Sequence, residues 1–207
     1  SRRSSSSPAR ALRKLHGVGF LDGLLGGKRK LKLPARDRLF AMTTAQVTFE
    51  TAMGLKHRGV AGIAFQSLAT ADFKEIVGDT KELLQGAAAD TGTKVETSTD
   101  DYGYAWIILR DDDFDDLVVA INTVSSSLEG GGYGDRLLAA VFAFEEDGRP
   151  IYFIYNFKRG MYYPFVPAPG TQKRNTEREL QLKAQIGADL PIEPELERWF
   201  PLWEIPL

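Results

Sequence analysis

The segment from Arg136 to Gly170 constrains the fold more than any other part of the chain. It contains three runs of apolar, β-branched and aromatic residues, separated by Asp147-Gly148 and by Arg159-Gly160. Dipeptides of this kind between apolar runs predict tight hairpin turns. Three strands joined by two hairpins form an antiparallel meander, which argues against a strict alternation of parallel strands and helices.

The rest of the body alternates helical patterns with further strands. A capping box formed by Thr43 and Gln46 predicts a helix start, and Gly54 suits the position that follows a helix end. Residues 33–42 are interpreted as the close of an N-terminal arm. The further predicted elements are a strand at 60–68, a helix at 70–87, strands at 95–98 and 102–110 separated by Asp100 and Asp101, and helices at 113–130 and about 174–186.

Helix 113–130 shows its pattern clearly. Its apolar residues share one face at helical spacing, and the acidic run at 111–116 places carboxylates where they suit the positive end of a helix. Because hairpins link most of the strands, the sequence predicts an α+β fold. We expect a mostly antiparallel sheet with amphipathic helices packed on one face.

The charge distribution divides the chain. Residues 1–38 carry eleven Lys or Arg and two Asp, a charge of +9, whereas the remainder carries fifteen basic and twenty-six acidic residues, a charge of −11. The predicted organisation is a disordered Ser/Arg-rich extension at 1–18, a short amphipathic segment with a basic linker at 19–38, and one α+β domain at 39–207. The acidic body argues against a nucleic-acid surface, so no nucleic-acid partner is expected.

The segment 19–32, GFLDGLLGGKRKLK, is the predicted membrane or partner anchor. On a helix its four large apolar residues share one face, and a basic run follows, which is the pattern of a peripheral anchor on anionic lipid. A short helix docked on the core is the alternative. Asp22 and four glycines interrupt the apolar run, so the segment does not fit an export signal. The anchor residues are Phe20, Leu21, Leu24, Leu25, Lys28, Arg29, Lys30 and Lys32.

Residues with catalytic or metal-binding potential are sparse. The chain has no cysteine, and its two histidines are His16 in the arm and His57 in a predicted turn. Neither histidine belongs to a recognisable catalytic or metal-ligand motif. We expect no catalytic residue, no cofactor and no metal, and we expect His57 and Glu145 to be dispensable for function.

Aromatic residues crowd the last hairpin and the C-terminal tail. Most of them should be core, but Lys158 and Arg159 precede Gly160 at a turn, where charged side chains should project into water. Tyr162 and Tyr163 are adjacent and point to opposite faces of their strand, so one should be at least partly exposed. These four residues form a predicted partner surface, because Tyr and Arg are enriched in binding hot spots.

Several segments together resemble the PspAB family, whose members are accessory proteins associated with phage-shock protein A (PspA). The resemblance runs over residues 19 to about 203. Val18 stands where the family pattern opens with methionine, so residues 1–17 are expected to be either an upstream extension or an artefact of the assigned start. The segments are GFLDGLLGGKRK, LFAM, VETSTDDYGYAWIILR, YNFKRGMYYPFVPAPG and RNTERELQLKAQIGADLPIEPELERWFPLW.

The resemblance implies a role in an envelope-stress response that acts at the cytoplasmic membrane. It implies a PspA-like protein and an HtpX-type membrane protease as partners, and it supplies no catalytic residues. The expected protein is a non-enzymatic adaptor in the cytoplasm, at or near the inner membrane face. A small enzyme or ligand-binding domain is the alternative, and a deep pocket lined by convergent titratable groups would favour it.

Overall fold

A computed structural model describes residues 35–207, with side chains from residue 38 onward. In this part of the chain, four helices accompany one six-stranded antiparallel sheet with strand order β2-β3-β1-β4-β5-β6. The elements in chain order are α1 (Ala35–Ala52), β1 (Lys56–Phe65), α2 (Ala71–Thr91), β2 (Lys94–Thr99), β3 (Ala105–Arg110), α3 (Phe114–Gly130), β4 (Leu137–Glu146), β5 (Arg149–Asn156), β6 (Met161–Phe165) and α4 (Thr176–Ile186).

The predicted meander is confirmed. β4 pairs with β5 and β5 with β6, both antiparallel, and the first hairpin turns at Asp147 and Gly148. These two residues have φ angles of 50° and 74°. Two consecutive left-handed residues match the right-handed twist of the flanking strands, which is why Asp-Gly is favoured there.

The helices pack on one face of the sheet, as predicted, and we call this the helix face. Apolar residues of α1, α2, α3 and α4 form one buried cluster with the side chains of that face. Phe49 of α1 is fully buried, with its ring stacked on Phe153 at 4.5 Å and edge-on to Phe144 at 5.3 Å. The fold class is therefore α+β.

Helix α3 begins as its acidic run predicts. Asp113 caps the helix, and one of its carboxylate oxygens accepts hydrogen bonds from the backbone N–H groups of Asp115 (2.9 Å) and Asp116 (3.4 Å). These bonds satisfy two of the donors that a helix start leaves unpaired.

The opposite face is covered by the C-terminal tail, and we call residues 199–207 the strap and this face the strap face. The strap forms neither helix nor strand. Trp199 belongs to a second buried cluster, and Leu202, Trp203, Ile205 and Leu207 pack against it. The sheet is therefore covered on both sides, by helices on one and by an irregular segment on the other.

The start of α1 corrects a prediction. The helix begins at Ala35 rather than at Thr43, and the Thr43 hydroxyl donates to the Phe40 carbonyl within the helix. Residues 35–42 are therefore helix and not the close of an arm. The physical reason is the buried stripe Leu39, Met42, Ala45 and Phe49, which continues upstream of Thr43 at helical spacing.

His57 also lies elsewhere than predicted. It belongs to β1, opposite Phe144 of β4, and not to a turn. A register shift separates His57 from Ala61 on this strand, and Gly59 between them has φ 62°. A glycine-containing bulge of this kind lets the strand begin earlier than its apolar pattern indicates.

Candidate functional site

A row of four side chains across the strap face forms the floor of a cleft. Trp106 of β3 lies opposite Ala64 of β1, Ala64 opposite Ala139 of β4, and Ala139 opposite Asn156 of β5. Side chains of directly opposed residues project to the same face of a sheet. Two alanines therefore lie between a tryptophan and an asparagine, and their small size leaves a hollow.

The β2–β3 turn forms one wall of the cleft, and Asp100 shapes it. One carboxylate oxygen of Asp100 accepts hydrogen bonds from the backbone N–H groups of Tyr102 (3.0 Å) and Tyr104 (2.9 Å). The other accepts the indole N–H of Trp106 at 2.9 Å. Gly103 supplies the left-handed conformation of the turn, with φ 83°. Tyr102 and Tyr104 remain 68% and 39% exposed.

The strap forms a second wall, with Phe200 through Trp203. The Tyr163 hydroxyl donates to the Phe200 carbonyl at 3.0 Å, and the Trp199 ring stacks on Tyr163 at 6.3 Å. Burial raises the pKa of Tyr163, so its hydroxyl stays protonated and able to donate. The Phe200 side chain is 58% exposed. The backbone of this wall is thus fixed while an aromatic side chain faces solvent.

We call the space between these walls the aromatic cleft. It has a volume of about 690 Å³, and most of its lining surface is apolar. Among its lining residues, the acidic side chains are Asp100, Glu129 and Asp135, and the basic one is Lys158. Asp135 lies 3.5 Å from Arg136 and its side chain is 70% exposed. The rim therefore carries an excess of negative charge.

Two further carboxylates lie next in sequence to the lining residues. Asp101 precedes Tyr102 in the turn, and Glu204 follows Trp203 in the strap. The pKa of Glu204 is raised because its carboxyl group hydrogen-bonds with that of Asp101, whose charge adds to the effect. Glu204 has φ 60°, which is uncommon for a residue other than glycine. Among the described residues, no basic side chain contributes to this shift.

Several polar groups within the cleft are already hydrogen-bonded. The Asp100 carboxylate accepts three hydrogen bonds, and the Asn156 side-chain oxygen accepts the backbone N–H of Arg159 at 3.2 Å. A catalytic or polar-ligand pocket needs convergent polar groups with free bonding capacity. The aromatic cleft offers aromatic and aliphatic surface with charge at the rim, and these features are enriched in protein-binding sites.

The predicted partner surface is divided by the sheet. Lys158 is exposed and lines the aromatic cleft, as does Tyr163. Tyr162 lies on the helix face, fully buried, and its hydroxyl donates to the Leu39 carbonyl at 2.6 Å. The prediction that one of the two tyrosines is partly exposed is wrong, because the strap covers Tyr163 and leaves it 3% exposed.

Arg159 is not a free cation at the hairpin tip, as the turn position predicted. Its guanidinium donates to Glu193 at 2.8 Å, and the Glu193 side chain is 2% exposed. Burial by itself would raise the pKa of Glu193. The hydrogen bonds from Arg159 and the Glu195 backbone, with the charges of Arg159 and Arg198, outweigh burial and lower that pKa. Arg159 therefore compensates a buried charge, although its own side chain is 40% exposed.

The reason for this burial is that a second tail segment extends the sheet. The backbone N–H of Tyr162 donates to the Pro191 carbonyl, and that of Glu193 donates to the Tyr162 carbonyl, both at 2.8 Å. Ile192 thereby pairs with β6 and brings Glu193 against the hairpin.

His57 contacts groups that suit a structural role. Its Nδ1 accepts the backbone N–H of Gly59 at 3.3 Å, its Nε2 lies 3.8 Å from Glu50, and its ring meets Phe114 edge-on at 5.4 Å. Across residues 38–207, no three His, Cys, Asp or Glu side chains are grouped in a way that could hold a metal ion.

The anchor residues from Phe20 to Lys32 lie outside the described residues. Of the helices within 35–207, none combines the length and the apolar character that a bilayer crossing requires.

Tyr102, Tyr104 and Phe200 were missed as site residues. The first two flank a glycine in a turn, and Phe200 lies between Trp199 and Pro201. An aromatic residue in a turn is a weak indication of exposure, and nothing local indicates that the turn and the tail meet.

Comparison with known proteins gives one match. The family described as PspA associated protein B matches residues 18–207, nearly the whole chain. No curated protein and no solved structure matches the chain.

Proposed function

The chain belongs to the PspA associated protein B family, and on that premise we propose that it is a non-enzymatic adaptor of a PspA-type membrane-stress response. It binds a protein partner at the inner face of the cytoplasmic membrane. The observation that carries the proposal is the aromatic cleft, an open and mostly apolar surface in which Asp100, the Trp106 indole and the Asn156 side-chain oxygen are already hydrogen-bonded.

Exposed aromatic rings support a protein partner. Tyr102 and Phe200 are more than half exposed on opposite walls of the cleft. Large aromatic side chains gain free energy when a partner covers them and lose little rotational freedom, so they dominate many protein interfaces. Their exposure in the free protein is explained if a partner covers them in the complex.

A PspA-type protein is the first proposed partner, because the family is named for that association. An HtpX-type membrane protease is a second proposed partner, on the family resemblance alone. Anionic lipid is a third, through Leu21, Leu24 and Leu25 and the basic run from Lys28 to Lys32.

The direct test is binding between the full chain and the PspA-type protein of the same organism, measured by titration calorimetry with purified proteins. We expect a saturable complex, and we expect His57→Ala and Glu145→Ala to bind as the wild type does. Absence of a complex contradicts the PspA link. Loss of the cellular stress phenotype in a stably folded His57→Ala variant points to an enzyme instead.

The lipid contribution has its own test. Vesicles containing anionic lipid are sedimented with the full chain and with a variant that lacks residues 1–32. We expect only the full chain to sediment, and only at low salt, because exposed charges are screened within about 8–10 Å at physiological ionic strength. Equal sedimentation of both forms contradicts the anchor.

A further inference from the structure

We propose that the aromatic cleft binds an apolar segment of a protein partner that is flanked by lysine or arginine residues. This inference rests on the proposed function, because it specifies which part of a partner the adaptor recognises. Its grounds are the shape of the cleft floor, the exposed rings of its walls and the charges of its rim.

The floor and walls select apolar side chains. Ala64 and Ala139 form the hollow, and the Trp106 ring at its side is held by the hydrogen bond to Asp100. Because Asp100, the Trp106 indole N–H and the Asn156 side-chain oxygen are already bonded, a polar side chain that entered would find these groups occupied and would lose its own bonds to water. Leucine and phenylalanine side chains have no hydrogen bonds to water to lose, and they gain contact with Tyr102 and Phe200.

The rim selects basic flanks. Glu129 and Asp135 lie at the end formed by the α3–β4 loop, and Asp101 and Glu204 lie where the turn meets the strap. Among the lining residues the one basic side chain is Lys158, and Arg136 lies 3.5 Å from Asp135, so the carboxylates at the rim outnumber the basic groups near them. The pKa of Glu204 is raised first by its hydrogen bond with the Asp101 carboxyl group and then by the charge of Asp101, and a basic side chain nearby would relieve that repulsion. A basic side chain of the partner could pair with these carboxylates while its cation lies over the exposed Tyr102 ring.

The α+β domain as a whole has a negative net charge, as the rim of the cleft does. Residues 39–207 carry fifteen basic and twenty-six acidic residues, so their field attracts a basic segment and repels an acidic one. Charge complementarity therefore acts both at the rim and at long range.

The experiment uses the full chain and three fluorescein-labelled synthetic peptides of equal length. The first has a leucine and phenylalanine core flanked by lysines, the second has the same core flanked by glutamates, and the third has a serine core flanked by lysines. Fluorescence anisotropy gives the Kd of each peptide at low and at physiological salt. We expect the first peptide to bind roughly tenfold more tightly than the second at low salt, with a smaller difference at higher salt.

Two pairs of double variants locate the binding. Tyr102→Ala with Phe200→Ala should weaken the first peptide about 30-fold, as expected for the loss of a binding hot spot. Its control is Leu83→Ala with Val119→Ala, which removes two other apolar side chains that are 59% and 51% exposed. Because all four side chains are more than half exposed, folding should be preserved in both variants.

The second pair tests charge. Asp101→Asn with Glu204→Gln should reduce the preference for lysine over glutamate flanks, whereas Asp79→Asn with Glu82→Gln removes two exposed charges from α2 and should leave it unchanged. The inference is overturned if the serine-core peptide binds as tightly as the first. Equal binding of lysine- and glutamate-flanked peptides, or equal effects of a variant and its control, also overturns it.

The outcomes separate this inference from the proposed function. If the peptide series behaves as expected but no PspA-type protein binds, the cleft chemistry stands and the PspA link fails. If the PspA-type protein binds and Tyr102→Ala with Phe200→Ala leaves that binding unchanged, the link stands and the cleft is not its site.

Discussion

The two faces of the sheet are covered by different kinds of structure. On the helix face, helices place apolar residues over the strands at regular spacing, and large side chains such as Phe49, Phe142 and Phe153 are fully buried. On the strap face, an irregular segment runs from Trp199 at β6 to Leu207, which lies over Gly62 of β1. Part of that face remains open as the aromatic cleft.

Geometry explains the difference. A helix with side chains is about 10 Å wide, so several helices side by side cover a whole sheet face. The strap, residues 199–207, spans at most about 30 Å when extended, and six strands at about 4.8 Å spacing are roughly 24 Å across. One extended segment can therefore cross the sheet once and leaves other rows of the same face uncovered. The helix face therefore carries the larger buried cluster, and the open part of the strap face is the proposed binding site.

The largest expected effect contrasts Phe49→Ala with Phe200→Ala. Loss of the fully buried Phe49 ring should lower the free energy of unfolding by about 3–5 kcal/mol, because it removes buried apolar area and leaves a cavity. Loss of the exposed Phe200 ring should change it by less than about 0.5 kcal/mol. Urea denaturation of both variants measures the difference. Similar decreases in the free energy of unfolding for the two variants would contradict the difference between the two faces.

A second prediction concerns the contact between strap and sheet. A Cβ at Gly62 would lie 2.9 Å from Leu207 Cδ2 and 3.2 Å from Trp106 Cε3. Gly62→Ala should therefore cost about 1–2 kcal/mol through crowding. Leu207→Ala makes room for the new methyl group, so the double variant should be more stable than the sum of the single changes indicates. If the change in the double variant equals the sum of the changes in the two single variants, Leu207 does not crowd the side chain introduced at Gly62.

The hairpin at 157–160 carries two basic residues with different surroundings. Arg159 pairs with the buried Glu193, whereas Lys158 lies at the rim of the aromatic cleft. Arg159→Ala leaves the buried Glu193 carboxylate without its partner and should lower the melting temperature by several degrees. Lys158→Ala should leave it unchanged, because that side chain is exposed. This replaces the expectation from sequence that both charged side chains project into water at the turn. Equal melting temperatures for the two variants would contradict the structural role of the pair.

The same pair predicts a pH dependence. The pKa of Glu193 in the folded protein lies below its ordinary value of 4.5. The unfolded chain therefore binds the proton first as the pH falls, and the pair contributes its full stabilisation above about pH 4.5. That contribution is lost as the pH falls through the lower folded pKa. Glu193→Gln should remove this part of the acid sensitivity, which thermal melts between pH 3 and pH 6 measure (about three pH units suffice to span the transition).

A small effect on stability is expected for Ala139→Leu, which fills the floor of the cleft. Ala139 is 9% exposed and faces open space, so the added side chain should change the free energy of unfolding by less than about 1 kcal/mol. Binding of the lysine-flanked apolar peptide should nevertheless fall at least about tenfold, because the hollow is occupied. Glu82→Leu adds a leucine on an exposed site of α2 and serves as control. Unchanged peptide binding by Ala139→Leu would place the peptide outside the cleft.

Much of the fold could be predicted from the sequence because it depends on neighbours along the chain. The hairpin at Asp147 and Gly148 needs only two residues that tolerate left-handed backbone, and the start of α3 needs only the Asp113 cap. The start of α1 was predicted wrongly, since the Thr43 capping box was given more weight than the apolar stripe that begins at Leu39. Burial against the sheet outweighed a local capping preference.

The site could be predicted only in part. Lys158 and Tyr163 line the aromatic cleft, but Arg159 pairs with a residue far along the chain and Tyr162 lies on the other face. Alternation along β6 correctly separates the two tyrosines. It carries no information about what covers each face, and here both faces are covered.

The sequence by itself determined the antiparallel meander, the helical stripe of α3 and the family to which the chain belongs. The first two depend on residues close together in the chain, and the family depends on a pattern along the whole chain. Only the tertiary structure decided where the cleft lies. Its floor depends on the register that aligns Trp106, Ala64, Ala139 and Asn156 across four strands. Its walls depend on a turn and a strap that are far apart along the chain and lie together only in the folded protein. Cross-strand register and the path of an irregular segment are set by packing between distant residues, and no local pattern encodes them.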